Sequence, residues 1–313
     1  MTTYYVKTPA NGGDDDNNGE TTGAAWATLQ HAADNVSAGD TVSVFPGEYD
    51  RFNISSGGSA AGGVITFEAN DQNDRPYVRT AKYNIADSAL GSTDRPDAGI
   101  YITTDYVTVN GFRFTNERAI AIAFQLKGRN TYNITVGNCY FYRCRAVLKI
   151  TAKLGETMVI GGKTVKIDKK ATGPIWIAHE GLGYSNRNIH FHDLDFVECW
   201  ARVPVTGGGT EIVTFYGAHD GILVEDCTWT DCYGINLNFV GVDARDTATT
   251  VGQPRNIVAR RNVFDNAYRT NDGVPNPVNA LYFDRGTGPA EIYQNLFYNN
   301  ASRAALTSSF EGE

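Results

Sequence analysis

Apolar and polar positions along most of this chain follow one recurring register. Six stretches can be aligned on their first apolar residue, at Val107, Ile134, Ile189, Ile222, Ile257 and Ala290. In all of them slots 0 and 2 are apolar, and slot 7 is aromatic: Phe114, Phe141, Phe196, Trp229, Phe264 and Phe297. Slot 5 holds Phe112, Cys139, Leu194, Cys227, Asn262 and Asn295, and slot 10 holds Cys144, Cys199 and Cys232. Period-two alternation over slots 0 to 3 predicts a short strand with one face inward. The aromatic slot predicts a second strand beyond a tight bend. After slot 10 a further strand is expected at Val147–Ile150, Arg202–Val205, Ile235–Phe239 and Leu281–Asp284. Its alternation sends Leu148, Ile150, Leu237 and Phe283 inward, and Lys149, Asn236, Asn238, Tyr282 and Asp284 outward.

A unit of this size repeated along a chain describes coils stacked on one another, each burying its apolar face against the next. The predicted architecture is all-β, a single-stranded parallel β-helix. The starts lie 27, 55, 33, 35 and 33 residues apart. The long interval predicts an inserted excursion over 153–173, a hairpin about Gly161-Gly162. Equal slots on adjacent coils then sit about 4.8 Å apart, forming internal ladders. Buried Asn262 and Asn295 need partners, which stacked neighbours or turn backbone can supply. The five cysteines fit as small apolar core residues, and their odd number leaves at least one unpaired. Local bridges Cys139–Cys144 and Cys227–Cys232 are allowed by spacing but not required.

The first 70 residues read differently, as an entry segment and first coil, with the stacked coils filling 71–313. Tyr4-Tyr5-Val6 predicts a strand, 11–19 a polar loop, and 26–35 a helix with Trp26, Leu29, Ala32 and Ala33 on one face. Such a helix has a purpose at an open coil end, where backbone and core would otherwise be exposed. These motifs, in the order Tyr-Tyr-Val, Asp-Asp-Asp-Asn-Asn-Gly, Trp-Ala-Thr-Leu-Gln-His-Ala, Ala-Gly-Asp-Thr-Val and Pro-Gly-Glu-Tyr, resemble the N-terminal cap of secreted right-handed parallel β-helix proteins. That pectate-lyase-like superfamily includes pectate and alginate lyases, glycoside hydrolases and phage tailspikes. The resemblance implies a right-handed helix with a capping helix, and it says little about chemistry, because one fold hosts many reactions.

Composition narrows the partners. Twenty-seven basic against thirty-five acidic residues give a net charge of -8, which argues against nucleic acid. No apolar run reaches membrane-spanning length, and Met1-Thr-Thr opens no secretory signal. The chain is therefore expected outside the cell or on a virion, with a leader removed or with release by lysis. The final residues, 304–313, stop within a coil, so either a longer chain or a neighbouring subunit is expected there. Monomer and homotrimer both stay open.

Three functional readings stand. In the first, 279–311 is similar to a stretch of β-helix glycosidases that include a β-xylosidase family, with an apolar-Tyr-apolar-Asp strand end followed by a Glu about one coil later. The resemblance implies Asp284 as nucleophile and Glu311 as general acid/base, and a one-coil separation suits a retaining mechanism. Arg285 departs from the glycine that the pattern has there. The second reading is a lyase with Lys149 as base, Asp193 and Asp226 holding Ca²⁺, and an arginine neutralising a uronate. The Asp14-Asp15-Asp16 loop is a further acidic cluster, distant from these coils, and otherwise no cofactor or metal is expected. The third is a non-catalytic rod that binds glycans. All three place a polysaccharide or oligosaccharide on the outer slots. The candidate binding residues are His192, Glu225, Arg260, Asn236, Asn238, Tyr282 and Lys149.

Overall fold

The computed structural model describes residues 1–79, 99–115, 121–127, 132–147, 157–160, 163–166, 175–180, 186–202, 211–216, 219–232, 234–240, 254–266, 279–284, 288–300 and 303–308. Within them the slot alignment becomes hydrogen-bonded register. Val107 pairs with Ile134, Ile134 with Ile189, Ile189 with Ile222, Ile222 with Ile257, and Ile257 with Ala290. Every one of these pairings is parallel, which requires the chain to circle once between partners. Three sheets run the length of the molecule, giving a right-handed parallel β-helix. The first carries slots 0 to 3, for example His219–Glu225. The second carries slots 6 to 8, for example Thr228–Thr230. The third includes Glu211–Tyr216, Ile235–Val240 and Asn279–Asp284.

The bends have a backbone signature. Slot 4 takes the left-handed conformation in Gly111, Asn138, Asp193, Asp226, Arg261 and Gln294, with φ between 49° and 81°. The residue before slot 0 does the same in Tyr106, Asn133, Asn188, Gly221 and Asn256, and slot 9 does so in Arg143, Glu198, Asp231, Asn266 and Asn299. Asn, Asp and Gly bear this conformation at least cost, which explains their recurrence at corners. Stacked corners bond to one another, as in Asn188 Nδ2 to Asn133 Oδ1 at 3.1 Å.

Inside, the slot-7 rings form one column. Phe114, Phe141, Phe196, Trp229, Phe264 and Phe297 stack at centroid separations of 5.2, 4.6, 5.1, 4.7 and 4.9 Å, with their planes nearly parallel. Each such pair adds about 0.5–1.5 kcal/mol beyond area burial. Asn262 donates to Asn295 Oδ1 at 3.0 Å, and its own Oδ1 accepts from the Cys227 backbone, so the buried amides are satisfied as a ladder. All five cysteines are buried free thiols, and neither local bridge is present. Burial pushes the Cys139 thiol up to about 12, backbone bonds from Phe112 and Gly111 acting against it. An inert core residue behaves this way.

Two expectations need correction. The helix spans Leu29–Asn35, because Thr28 caps it by accepting from His31 N. Trp26 lies before it, bridged to Val6 and stacked on Tyr4 at 4.5 Å. Gln30 bonds both backbone groups of Asn53, on the outermost strand of the third sheet, so an otherwise open edge is satisfied. Secondly, Val147 and Arg202 do not begin third-sheet strands. Arg145–Val147 and Trp200–Arg202 pair in a small sheet of their own, and those coils supply Ile175–Glu180 and Glu211–Tyr216 to the third sheet instead. The antiparallel pair Thr157–Ile160 with Lys163–Lys166 lies between Arg145–Val147 and Ile175–Glu180 in the chain.

Candidate functional site

The outer face of the first sheet brings three predicted residues together. His192, Glu225 and Arg260 are register partners on successive strands, and Tyr293 follows. Glu225 is nearly buried and fully engaged. Its Oε1 meets His190 Nε2 at 2.9 Å, and its Oε2 accepts from Arg260 Nε and Arg261 Nη2, both at 2.7 Å. Arg260 also donates to the Tyr293 hydroxyl at 3.0 Å. Arg261 makes a bidentate pair with Asp226 at 2.8 and 2.7 Å. His192 Nδ1 contacts Asp193 Oδ2 at 2.8 Å, and its ring lies across the next strand where Gly137 leaves room. A Cβ there would sit 2.3 Å from His192 Nε2.

Electrostatics follow from that wiring. Burial alone would raise the Glu225 carboxyl, but bonds from Arg260, His190 and Arg261 outweigh it and hold the group below its usual range. The Arg261 bond similarly lowers Asp226. Burial lowers His190, with the Glu225 bond opposing. A carboxylate fixed in its ionised form by two guanidiniums is a poor proton donor. Asp193 and Asp226, expected as calcium ligands, contact His192 and Arg261. Among the described residues no group of three His, Cys, Asp or Glu is placed to hold a metal. In the entry loop, Asp15 accepts from Ala27 N, Thr28 N and Thr28 Oγ1, which ties the loop to the start of the helix.

The third sheet is wired differently. Leu237, Phe239, Leu281 and Phe283 fill the interior, so Asn236, Asn238 and Tyr282 occupy its outer rows. Open exposure was expected there, yet Asn236 and Asn238 are 0% and 1% exposed. Both amide atoms of Asn236 and the Oδ1 of Asn238 lack a hydrogen-bond partner. Tyr282 pairs with Asn238 in register and is half-buried. Asp284 pairs with Val240 on one side and Ser308 on the other, and its side chain is outside the described set. Lys149 and Glu311 lie outside the described residues altogether.

A further group, on the outer face of the second sheet, was not apparent from the repeat. It comprises Tyr140, Tyr142 and Asp195, with Arg75 nearby. The alternation Tyr-Phe-Tyr at slots 6 to 8 is the one signal that singles it out.

No family model matches the chain, and no curated protein sequence matches it. Solved structures match it across its length at low identity. A rhamnogalacturonan lyase is 14% identical, over 96% of this chain and 88% of that one, with a TM-score of 0.40. The pectate lyase Pel9A is 13% identical over 97% and 79%, at 0.42. A pectin methylesterase from carrot is 12% identical over 100% and 89%, at 0.45. Among the described residues no helix is long and apolar enough to cross a membrane.

Proposed function

We propose that the protein works outside the cell on a polysaccharide or oligosaccharide, which it binds across the outer rows of the third sheet and cleaves by retaining hydrolysis. The observation that carries this reading is a set of buried, unpaired amide atoms, both of Asn236 and the Oδ1 of Asn238, on the strand that pairs with Asn279–Asp284. A buried amide without a partner costs about 1–3 kcal/mol. A sugar hydroxyl, which donates and accepts, would recover that cost once binding uncovers these atoms, since Asn236 and Asn238 are 0% and 1% exposed in the free chain.

In this reading Asp284 attacks the anomeric carbon while Glu311 protonates the departing oxygen, and Glu311 then deprotonates the water that releases the sugar. Ser308 is the register partner of Asp284, and Glu311 follows it by three residues. Neighbouring rungs are about 4.8 Å apart, close to the ~5–5.5 Å between carboxyls that a covalent intermediate uses.

The test is one incubation of the full chain with a polysaccharide panel, followed by a reducing-end assay and by absorbance near 235 nm. New reducing ends without absorbance, abolished by Asp284→Asn, support the reading. Growth of absorbance would mean β-elimination and would replace hydrolysis with a lyase. Retention of a glycan with silence in both channels would leave a non-catalytic rod.

A further inference from the structure

Cysteine fills slot 10 in three consecutive coils, at Cys144, Cys199 and Cys232, whereas in slot 5 Leu194 separates Cys139 from Cys227. The three slot-10 thiols are buried and make the same contacts on every rung. Their Sγ atoms lie 3.4, 3.2 and 3.4 Å from the slot-7 carbonyl oxygens of the coil before, those of Phe114, Phe141 and Phe196. They lie 3.8, 3.6 and 3.5 Å from the slot-8 carbonyl oxygens of their own coil, those of Tyr142, Val197 and Thr230. Two matching distances for each thiol place the three side chains in one orientation. The strands leading into them are in register, Tyr142 with Val197 and Val197 with Thr230. Each sulfur therefore repeats the one before it, displaced by a rung of about 4.8 Å.

That spacing excludes two uses of neighbouring thiols and fits a third. A disulfide needs Cβ atoms about 3.5–4.5 Å apart and sulfurs about 2 Å apart, closer than parallel rungs allow. A tetrahedral ion such as zinc needs donors on every side. Sulfurs in a line cannot surround an ion, and among the described residues no group of three His, Cys, Asp or Glu is placed to do so. An ion with two opposed ligands asks only for the right span. With metal–sulfur bonds of about 2.3 Å, its two sulfurs stand about 4.6 Å apart, which is the rung to within ~0.2 Å. Linear two-coordination is a habit of soft monovalent cations with a filled d shell, Cu(I) above all, and sulfur is the ligand they select.

We propose that the slot-10 column binds one Cu(I) ion, held in line between Cys199 and one of its two neighbours, Cys144 or Cys232. The ion bonds to the Cys199 sulfur as its S–H bond breaks, and the neighbouring thiol donates a sulfur lone pair. One proton leaves as one positive charge enters, so the dry interior gains no net charge and copper keeps its oxidation state. Both spans share Cys199, which sets the stoichiometry at one ion per chain. Slot 10 adjoins the corner residues Arg143, Glu198 and Asp231, and local opening of such a corner is the way in. The bound ion ties two coils together through sulfur and stabilises the folded stack, which alone presents the paired ligands. The site lies inside the helix and does not depend on the hydrolytic reading.

The experiment is an anaerobic titration of the reduced full chain with Cu(I), in competition with a chromophoric Cu(I) chelator. The chain should withdraw one ion, and X-ray absorption at the copper edge should then report two sulfur neighbours. Cys199→Ala, which breaks both spans, should weaken binding by about tenfold or more. Cys144→Ala and Cys232→Ala each leave one span and should weaken it only about twofold. The double variant Cys139→Ala/Cys227→Ala should bind as the parent does, because slot 5 has no adjacent pair. Cu(I) should raise the melting temperature of the parent and leave that of Cys199→Ala unchanged. The proposal is overturned if the folded parent withdraws no Cu(I), or if the absorption edge reports nitrogen or oxygen neighbours in place of sulfur. It is equally overturned if folded Cys199→Ala binds as tightly as the parent. Should Cys199→Ala not fold, the absorption edge of the parent still decides, since it needs no variant.

Discussion

The outer faces of the first and third sheets are built from the same repeat and carry similarly polar residues, yet they answer opposite questions. On the first sheet, His190, Glu225, Arg260, Arg261, Asp226 and Tyr293 bond to one another along consecutive rungs. On the third, Asn236 and Asn238 are more deeply buried, and both amide atoms of Asn236 and the Oδ1 of Asn238 have no partner. Polarity alone therefore says little about binding. A polar group already satisfied gains little from a ligand, whereas an unsatisfied buried one has free energy to recover.

The sharpest way to break this contrast is at the two faces' carboxylates. Asp284→Asn should lower kcat/KM by about a thousandfold or more, about 4 kcal/mol of transition-state stabilisation, measured as reducing ends released. Arg260→Ala, on the satisfied face, should change the same rate less than about threefold. Comparable losses in both variants would merge the two faces into one site.

Stability should show the reverse order. Glu225→Gln leaves Arg260 and Arg261 crowded around a neutral amide, and we expect a loss of about 1–3 kcal/mol in denaturant unfolding. Asn236→Leu should be neutral or stabilising by about 1 kcal/mol, while weakening glycan binding about tenfold. A variant that lost both stability and affinity would show that the Asn236 amide is structural.

A smaller effect is expected with pH. Glu225 and Asp226 are depressed in the folded protein, so their contribution is present above the unfolded carboxylate values near 4 and is lost as pH falls through the folded ones. His190 is also depressed, and a histidine that protonates more readily unfolded than folded costs stability as pH falls below about 6.5. All three have the same sign. The unfolding free energy should decline in two stages on acidification, and Glu225→Gln should flatten the lower stage.

The repeat was legible because slots 0, 2 and 7 must be apolar in every coil, and a periodic demand leaves a periodic trace. The left-handed corners were half legible. Gly111, Asn138, Asp193 and Asp226 suit a bend, but Arg261 and Gln294 at the same slot make the column look like an outward wall. Trp26 has helical spacing to Leu29, and only the Thr28 cap separates them. Burial of Asn236 and Asn238 could not be read at all. Alternation assigns a side to each residue but cannot say whether that side meets water.

The ring column gives the molecule an internal optical reporter. Trp229 sits between Phe196 and Phe264, fully buried, so its emission should be blue and shielded from iodide. Solenoid coils are held mainly by their neighbours, and unravelling from either end reaches the middle late. In a chain that keeps Trp229 as its sole indole, strand signal in circular dichroism should therefore fade before the emission reddens. The lag between the two would measure how many coils come undone before the centre is exposed to water.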